Sequence, residues 1–320
     1  MKAIRAREYG SPEQLRLEEV DIPAPKDDEV LIRVRAAALN ALDYYMMGGE
    51  FMVLRPFFGW KRPKDPRVGA DVAGIVEAVG ANVTSFKKND EVFGVARGSL
   101  AEFVATPANK IAHKSANASF EQAAAMPVAA LTALQGLRDK ARLARGQKVL
   151  INGAAGGIGT FAIQIARSMG AEVAAVCSAR NVDLVRSLGA TRVFDYTRED
   201  FTRSTERYDV FADIIGNRSL SECRGVMTPK GTFLNIGVRD GGRLIPRLTE
   251  LLLSKPFVSQ NLSMFVARMT PDDLNVLSEM IEAKSITPVI DRTYPLNQAG
   301  EALAYLKEGH ARGKVVVTIN

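Results

Sequence analysis

The stretch from Lys148 to Gly159, KVLINGAAGGIG, limits the fold more than any other part of the chain. Lys148 to Asn152 is a short apolar, β-branched run that breaks into glycines at Gly153, Gly156, Gly157 and Gly159 before a helical pattern begins at Thr160. The order reads as strand, tight turn, helix. Glycines at such a turn let backbone approach a phosphate, and the N–H groups and positive dipole of a helix N-terminus favour a pyrophosphate. The spacing Gly153-x-x-Gly156-x-x-Gly159 is a variant of the usual G-x-G-x-x-G, so its context has to support it. Phe161, Ile163, Ile165 and Ala166 supply a sheet-packing helix face, and Glu172 to Val176 forms a second strand about 20 residues after the turn. The unit is βαβ, and it reads as a nucleotide cradle.

With 320 residues, 47% of them hydrophobic, the chain has enough material for two domains with separate cores. The net charge of +6 comes from 42 basic residues scattered among 36 acidic ones. The densest basic cluster, RDKARLARGQK at 138–148, reads as the solvated face and end of a helix. Aromatic and glycine-rich RNA motifs are missing, which argues against a nucleic-acid partner. The two cysteines, Cys177 and Cys223, give neither a disulfide framework nor a metal-ligand spacing and suit a reducing compartment. MKAIRAREYG leads directly into alternating strand-like sequence, and no apolar run approaches the roughly 20 residues that span a bilayer. The expectation is therefore a cytoplasmic protein without a membrane span.

From Met1 to about Phe120, LRLEEV, VLIRVRAAAL, AGIVEAV, DEVFGV and AEFVAT read as short strands between turn residues. They predict a compact β-rich domain of small-barrel type. NALDYYMMGG at 40–49 predicts a short helix with a glycine stop, and 51–66 an aromatic, basic loop. Ser119 with Gln122 reads as a capping box that opens a helical stretch. KVLINGAAGGIG, EVAAVCS, VDLVRSLG, RVFDYT, YDVFADIIG, SLSECRGVM, GTFLNIGV and FVSQNL then alternate strands and helices, which predicts a parallel, doubly wound sheet. PDDLNVLSEMIEAKSI is an amphipathic helix, and AGEALAYLKEGHARGKVVVTIN is helix, turn and final strand, suited to a return to the first domain.

An enzyme that selects NAD usually carries Asp or Glu at the end of the second strand, where it binds the ribose 2′-OH. Here that strand ends Cys177, Ser178, Ala179, Arg180, Asn181. A hydroxyl and a guanidinium can bind a 2′-phosphate, which a carboxylate would repel. The cofactor expected is NADPH. The same residues also read as a helix cap and a solvated first-turn arginine.

Gly69 to Gly80, GADVAGIVEAVG, followed by ANVTSFKKNDEVFGV, resembles the G-x-D-x-x-G-x-V-x-x-V-G signature of the medium-chain dehydrogenase/reductase superfamily. ASFEQAAAMPVAALTAL, NGAAGGIGTFAIQIAR, AVCSARNVDLVRSLGA, VFDYT and GHARGKVVVTI are similar to its zinc-free quinone oxidoreductases, zeta-crystallin and the reticulon-4-interacting oxidoreductases among them, over nearly the whole chain. The resemblance implies a Rossmann sheet at 120–266 and a GroES-like catalytic domain from 1–119 and 267–320. Zinc alcohol dehydrogenases carry Gly-His-Glu and a metal-binding Cys where this chain has Gly69-Ala70-Asp71 and Asn40. No metal is therefore expected.

The resemblance also assigns residues. Asn40, Asp43 and Tyr45 would line the substrate site, though Asn40 and Asp43 also read as cap and turn residues and Tyr45 as packing. Thr132 would face the nicotinamide, Ala155, Gly156, Gly157 and Ile158 the pyrophosphate, Tyr196 the adenosine, and Ile215, Gly216, Ile236 and Gly237 the nicotinamide ribose. His310, Ala311 and Arg312 would reach the cofactor from the closing segment, with Ser178 and Arg180 at the 2′-phosphate. Mitochondrial-type enoyl thioester reductases have a tyrosine proton donor where this chain has Phe51, which cannot donate a proton. The reading is a zinc-independent NADPH oxidoreductase passing hydride to a quinone, enone or other activated carbonyl compound, with the 51–66 loop at the mouth of the site or serving as a partner surface. Its alternatives are an alkenal or enoyl-thioester reductase and an NADPH-binding regulatory or RNA-binding protein without turnover. A homodimer through the edge of the cofactor-domain sheet is expected, with GTFLNIGV and FVSQNL as candidate edge strands.

Overall fold

The computed structural model describes residues 1–49, 58–237 and 244–320. They form two compact units, Met1–Leu131 with Arg268–Asn320, and Thr132–Ala267. In the first unit β1 (Lys2–Arg5) pairs antiparallel with β2 (Arg16–Glu19). Next come β3 (Glu29–Leu39), α1 (Ala41–Gly48), β4 (Asp71–Val79), β5 (Glu91–Val95), β6 (Phe103–Pro107) and β7 (Ile111–His113), then α2 (Phe120–Ala124) and α3 (Pro127–Gln135), which runs across the boundary after Leu131. The second unit contains β8 (Lys148–Asn152), α4 (Gly157–Ser168), β9 (Glu172–Cys177), α5 (Val182–Ser187), β10 (Arg192–Asp195), β11 (Tyr208–Asp213), α6 (Leu220–Gly225), β12 (Met227–Asn235), α7 (Leu244–Ser254) and β13 (Asn261–Met264). The chain then returns to the first unit with α8 (Pro271–Glu282), β14 (Ile290–Pro295), α9 (Ala299–Lys307) and β15 (Lys314–Thr318).

The first unit's sheet has the order β14-β15-β3-β4-β5-β7, with β6 also on β3. In β3 the arginines Arg33 and Arg35 point outward while Ile32 and Val34 are buried, so one face takes the core by simple alternation. Alternation stops at Ala36 to Leu39, all buried, because α2 packs on β3, β4, β5 and β15 at this end. Residues 120–131, which the sequence reading gave to the nucleotide domain, thus belong to the first unit. Their alanine-rich surface fits closely against the small residues of β3. Ser119 opens α2 as expected: its Oγ accepts from Gln122 N–H at 3.2 Å, and Gln122 Oε1 accepts from Ser119 N–H at 3.0 Å.

The second unit's sheet has the order β10-β9-β8-β11-β12-β13 and is parallel throughout. The order reverses at β8, and in open α/β sheets ligands bind outside the strands' carboxyl ends at such a switch point. Phe201, Phe211 and Phe233 pack in a chain with ring centroids 5.9 and 5.5 Å apart, at the centre of a core that includes Tyr208 and Leu220. α4 is buried continuously from Gly159 to Ala166, not merely on the sheet-packing face of Phe161, Ile163, Ile165 and Ala166. Two strand expectations shift. GTFLNIGV supplies β12, an interior strand with partners on both sides, so it is no edge. FVSQNL yields a strand only from Asn261, because Lys255–Phe257, with a proline in its first turn, closes into a 3₁₀ turn.

Ser119→Ala removes one half of the capping box and is expected to cost about 1 kcal/mol. The check is the shift of the urea midpoint at constant slope, and an unchanged midpoint would remove the box from the first unit's stability.

Candidate functional site

The glycine turn follows β8 directly. Gly153 has φ +93°, and a Cβ added there would come within 2.7 Å of Ile215 Cγ1. A Cβ at Gly159 would lie 2.3 Å from the Gly153 carbonyl oxygen, so that glycine lets α4 pack tightly against the turn. At Gly156 a Cβ would meet only the Gly153 oxygen at 3.6 Å, which leaves this position facing open space. Gly156 is also the N-cap of α4, with no side-chain hydrogen bond. The first-turn N–H groups of a helix have no intrahelical acceptor, and here they sit beside an open, side-chain-free surface. The residues present thus fit a dinucleotide pyrophosphate. Ala155 is buried, while Gly157 and Ile158 are half-buried at the start of α4.

At the end of β9, Ser178 is half-buried and Arg180 exposed. Ser178 makes no side-chain cap bond; instead its Oγ accepts from Asn181 Nδ2 at 3.2 Å. Its oxygen therefore accepts from a side chain and not from a backbone N–H of the next helix. Tyr196, 54% exposed, follows β10, and its N–H donates to the Cys177 carbonyl at 3.1 Å, which brings it beside the Ser178 turn. A carboxylate not weighed in the sequence reading, Asp195 of β10, lies here too. It accepts from Thr197 N–H at 3.0 Å and Thr197 Oγ1 at 2.7 Å, and those bonds to Thr197 hold its pKa below the usual carboxylate range.

On the other side of the switch point, Asn152, Asp213 and Asn235 are the last residues of β8, β11 and β12 and are register partners across the sheet. All three are buried. Asp213 Oδ1 accepts from Asn152 Nδ2 and from Gly216 N–H, each at 2.9 Å, and Arg247 Nη2 of α7 donates to Oδ2 at 3.1 Å. Burial raises the Asp213 pKa, against the pull of the Gly216 N–H and the Arg247 guanidinium. Ile215 and Gly216 lie in the loop that Asp213 holds; Ile236 and Gly237 continue from β12, and a Cβ on Gly237 would lie 2.0 Å from the Ile214 carbonyl oxygen. Thr132 is half-buried in α3.

The first unit holds the other candidates. Asn40 Nδ2 donates to Asp71 Oδ2 at 2.9 Å, and Lys314 Nζ donates to Asn40 Oδ1 at 2.6 Å and to Asp71 Oδ2 at 3.1 Å. Asp71 Oδ1 accepts from Val128 N–H at 3.0 Å, at the start of α3. Asp71 and Lys314 are 0% and 3% exposed. The side-chain oxygen of Asn40 is therefore committed inside the unit. Asn40 also precedes α1, and its N–H donates to Asp43 Oδ2 at 2.7 Å. Burial pushes the Asp43 pKa up to about 7, offset in part by that N–H and by Lys314, with the Asp71 charge adding to the rise. Tyr45 is half-buried and its ring lies 4.3 Å from that of Tyr44. At Asp71 and Asn40 this chain has a carboxylate and an amide oxygen already bound to an ammonium. This donor set does not fit a zinc ion. Among the described residues, no group of three or more His, Cys, Asp or Glu could hold a metal ion.

His310, Ala311 and Arg312 lie between α9 and β15 in the first unit, and the Arg312 N–H donates to Asp291 Oδ2 at 3.0 Å. Phe51 and part of the aromatic loop, 51–57, lie outside the described residues. Burial pushes the thiol of Cys177 up to about 11 and that of Cys223 up to about 12. Neither is a thiolate nucleophile at neutral pH. No helix among the described residues is long and apolar enough to cross a membrane. Sequence reasoning missed Lys314, Asp213 and Arg247 as site-forming residues. Their signals were present: a lysine opening a buried strand, polar residues ending the three central strands, and an arginine among the leucines of an amphipathic helix.

A carboxyl whose folded pKa is raised contributes stability that is lost as pH rises through that value. Asp43→Asn should therefore gain on the parent protein between pH 5 and pH 8, by on the order of 2 kcal/mol. Urea midpoints at the two pH values measure this, and a difference that does not change with pH would contradict the burial of the charge.

Two family profiles match the chain: "Alcohol dehydrogenase GroES-like domain" over residues 26–116 and "Zinc-binding dehydrogenase" over residues 188–317. The chain is 35% identical to the 2-methylene-furan-3-one reductase of Solanum lycopersicum, over 99% of this chain and 79% of that one. It is 34% identical, with the same coverage, to the chloroplastic NADPH-dependent alkenal/one oxidoreductase of Arabidopsis thaliana. The solved quinone oxidoreductase from Coxiella burnetii matches with a TM-score of 0.90 at 28% identity, covering 100% of this chain and 99% of that one. A match of this extent to named reductases, on a six-stranded parallel sheet with its glycine turn at the switch point, means that the chain belongs to the medium-chain dehydrogenase/reductase superfamily, in its quinone oxidoreductase-like branch.

Proposed function

We propose that the protein is an NADPH-dependent oxidoreductase that works without zinc and reduces quinones and enones or other activated carbonyl compounds. The observation that carries this reading is the combination of an open glycine turn with a buried ammonium, Lys314, bonded to Asp71 where a metal-dependent relative would bind its ion. When bound, NADPH supplies the hydride.

The chain's own residues would hold and orient the reactants. Gly156 admits the pyrophosphate, and the first-turn N–H groups of α4 bind it. Ser178 and Arg180 take the 2′-phosphate, as a hydroxyl and a guanidinium can, and Tyr196 flanks the adenosine. Ala155, Gly157 and Ile158 complete the pyrophosphate surface; Thr132, Ile215, Gly216, Ile236 and Gly237 border the nicotinamide and its ribose. His310, Ala311 and Arg312 remain proposed cofactor residues. Asn40 sets the start of α1, since its side-chain oxygen is held by Lys314. On α1, Asp43, with its carboxyl pushed up to about 7, and the Tyr45 hydroxyl are the groups able to release a proton to the reduced acceptor.

The two relatives named above as a methylene-furanone reductase and an alkenal/one oxidoreductase favour a second reading, reduction of a C=C bond conjugated to a carbonyl. A quinone presents the same conjugated system, so both readings share a flat, polarised acceptor. We also infer a homodimer through β13, the edge strand, near which Phe257 and Val266 are 86% and 90% exposed. Such exposed apolar residues beside a strand that pairs on one side only among the described residues suit a second copy.

A panel of quinones, enones and 2-alkenals followed at the NADPH absorbance band is expected to show turnover with NADPH at least tenfold above that with NADH. Preference for NADH would remove the Ser178 and Arg180 assignment. Alkenals turned over with quinones inert would select the C=C reading, and binding without any turnover would favour a regulatory protein. Sedimentation should show a dimer that Val266→Asp converts to monomer; a monomeric parent protein overturns the β13 interface.

A further inference from the structure

We propose that Arg247 is a positioning residue: by clamping the ends of β11 and β12, it fixes the 214–217 loop against which the nicotinamide half of the dinucleotide is held. This rests on the cofactor reading above. The argument begins with register. Asn152, Asp213, Asn235 and Met264 are the terminal residues of four neighbouring parallel strands and pair in one row, so their side chains leave the same face of the sheet. A row of three buried polar side chains at strand ends needs partners from elsewhere. Arg247 supplies them from α7 for two of the three, Asp213 and Asn235. Its Nη2 donates to Asp213 Oδ2 at 3.1 Å, its Nε to Asn235 Oδ1 at 3.1 Å and its Nη1 to Glu250 Oε2 at 2.7 Å. The guanidinium lies 5.2 Å from the centre of the Phe233 ring. Asn235 Nδ2 completes the row on Met264 Sδ at 3.6 Å.

The other oxygen of Asp213 acts on the loop. Oδ1 takes the Gly216 N–H at 2.9 Å, and Asn152 Nδ2 bridges Asp213 Oδ1 and Asn217 Oδ1, both at 2.9 Å. Gly216 turns at φ +66°, and Ile215, 38% exposed, lies over Gly153 of the phosphate turn. The loop is therefore pinned at two points to strand ends and laid against the cradle. A buried ion pair is a weak source of stability, because desolvation offsets its attraction and an apolar pair of similar volume often does as well. What the pair provides that leucines would not is direction. One planar fork holds an aspartate and an asparagine on adjacent strands at once, and the aspartate passes that constraint to the loop. Ser178 and Arg180, the proposed adenosine-side contacts, lie past β9 on the other side of β8 and take no part in this network.

The two halves of the ligand can therefore be tested separately by calorimetric titration of the purified full chain with NADPH and with 2′,5′-ADP, which lacks the nicotinamide half. Arg247→Met is expected to weaken NADPH at least tenfold and leave 2′,5′-ADP within twofold. Arg247→Lys, with one point charge in place of the fork, should weaken NADPH by an intermediate factor and spare 2′,5′-ADP. Unchanged NADPH affinity in both variants overturns the proposal, as does an equal loss of both ligands, which would mark Arg247 as structural only. If Arg247→Met does not fold, Asn235→Ala decides, since it removes one anchor and keeps the ion pair: a selective loss of NADPH affinity supports the proposal and its absence overturns it. A parent protein that binds neither ligand instead overturns the cofactor reading itself, and this proposal with it.

Discussion

One carboxylate holds the first unit together. Asp71 is fully buried and receives hydrogens from Asn40, from the Val128 N–H and from Lys314. The carboxylate and its three donors come from four stretches spread across almost the whole chain. A buried carboxylate stripped of its cation costs several kcal/mol, so the partners must arrive together. The end of β3, the first turn of α1, the start of α3 and the first residue of β15 are thereby fixed to a single point. α1 carries Asp43 and Tyr45, so the two groups proposed for proton release sit on a helix whose start is tied to a lysine near the end of the sequence.

The second unit solves a related problem by a different route. Its parallel strands carry no charge along most of their length, and polarity is concentrated at the last residue of β8, β11 and β12. Apolar strand bodies bury in the sheet, and the carboxyl edge collects whatever must face a ligand. The glycine turn, the Ser178 turn and the 214–217 loop all follow directly from such ends. Backbone geometry and side-chain chemistry are thus concentrated at one edge while the interior stays a packed aromatic and aliphatic core.

Much of this was legible in the sequence where the physics is local. The strand, glycine turn and helix of 148–168, the Ser119–Gln122 box and the Gly49 stop each depend on neighbours within a few residues. Contacts across long separations were not legible. Lys314 holds the side-chain oxygen of Asn40, and nothing near residue 40 announces a partner at 314. Asp213 and Arg247 were missed for the same reason. The boundary between the units moved because an alanine-rich helix has no charge pattern that says which sheet it will cover, and FVSQNL started late because the turn before it is set by Pro256.

The two cysteines bear on the acceptors proposed for this protein. Quinones and enones are electrophiles that add to thiolates, so a reductase of such compounds is exposed to alkylation by what it consumes. Cys177 and Cys223 are 3% and 0% exposed, and burial keeps both protonated at neutral pH. Because reaction at sulfur requires the thiolate and access to it, the folded chain presents these electrophiles with no reactive sulfhydryl. For the acceptors proposed here, the packing of β9 and α6 leaves neither sulfur open to addition.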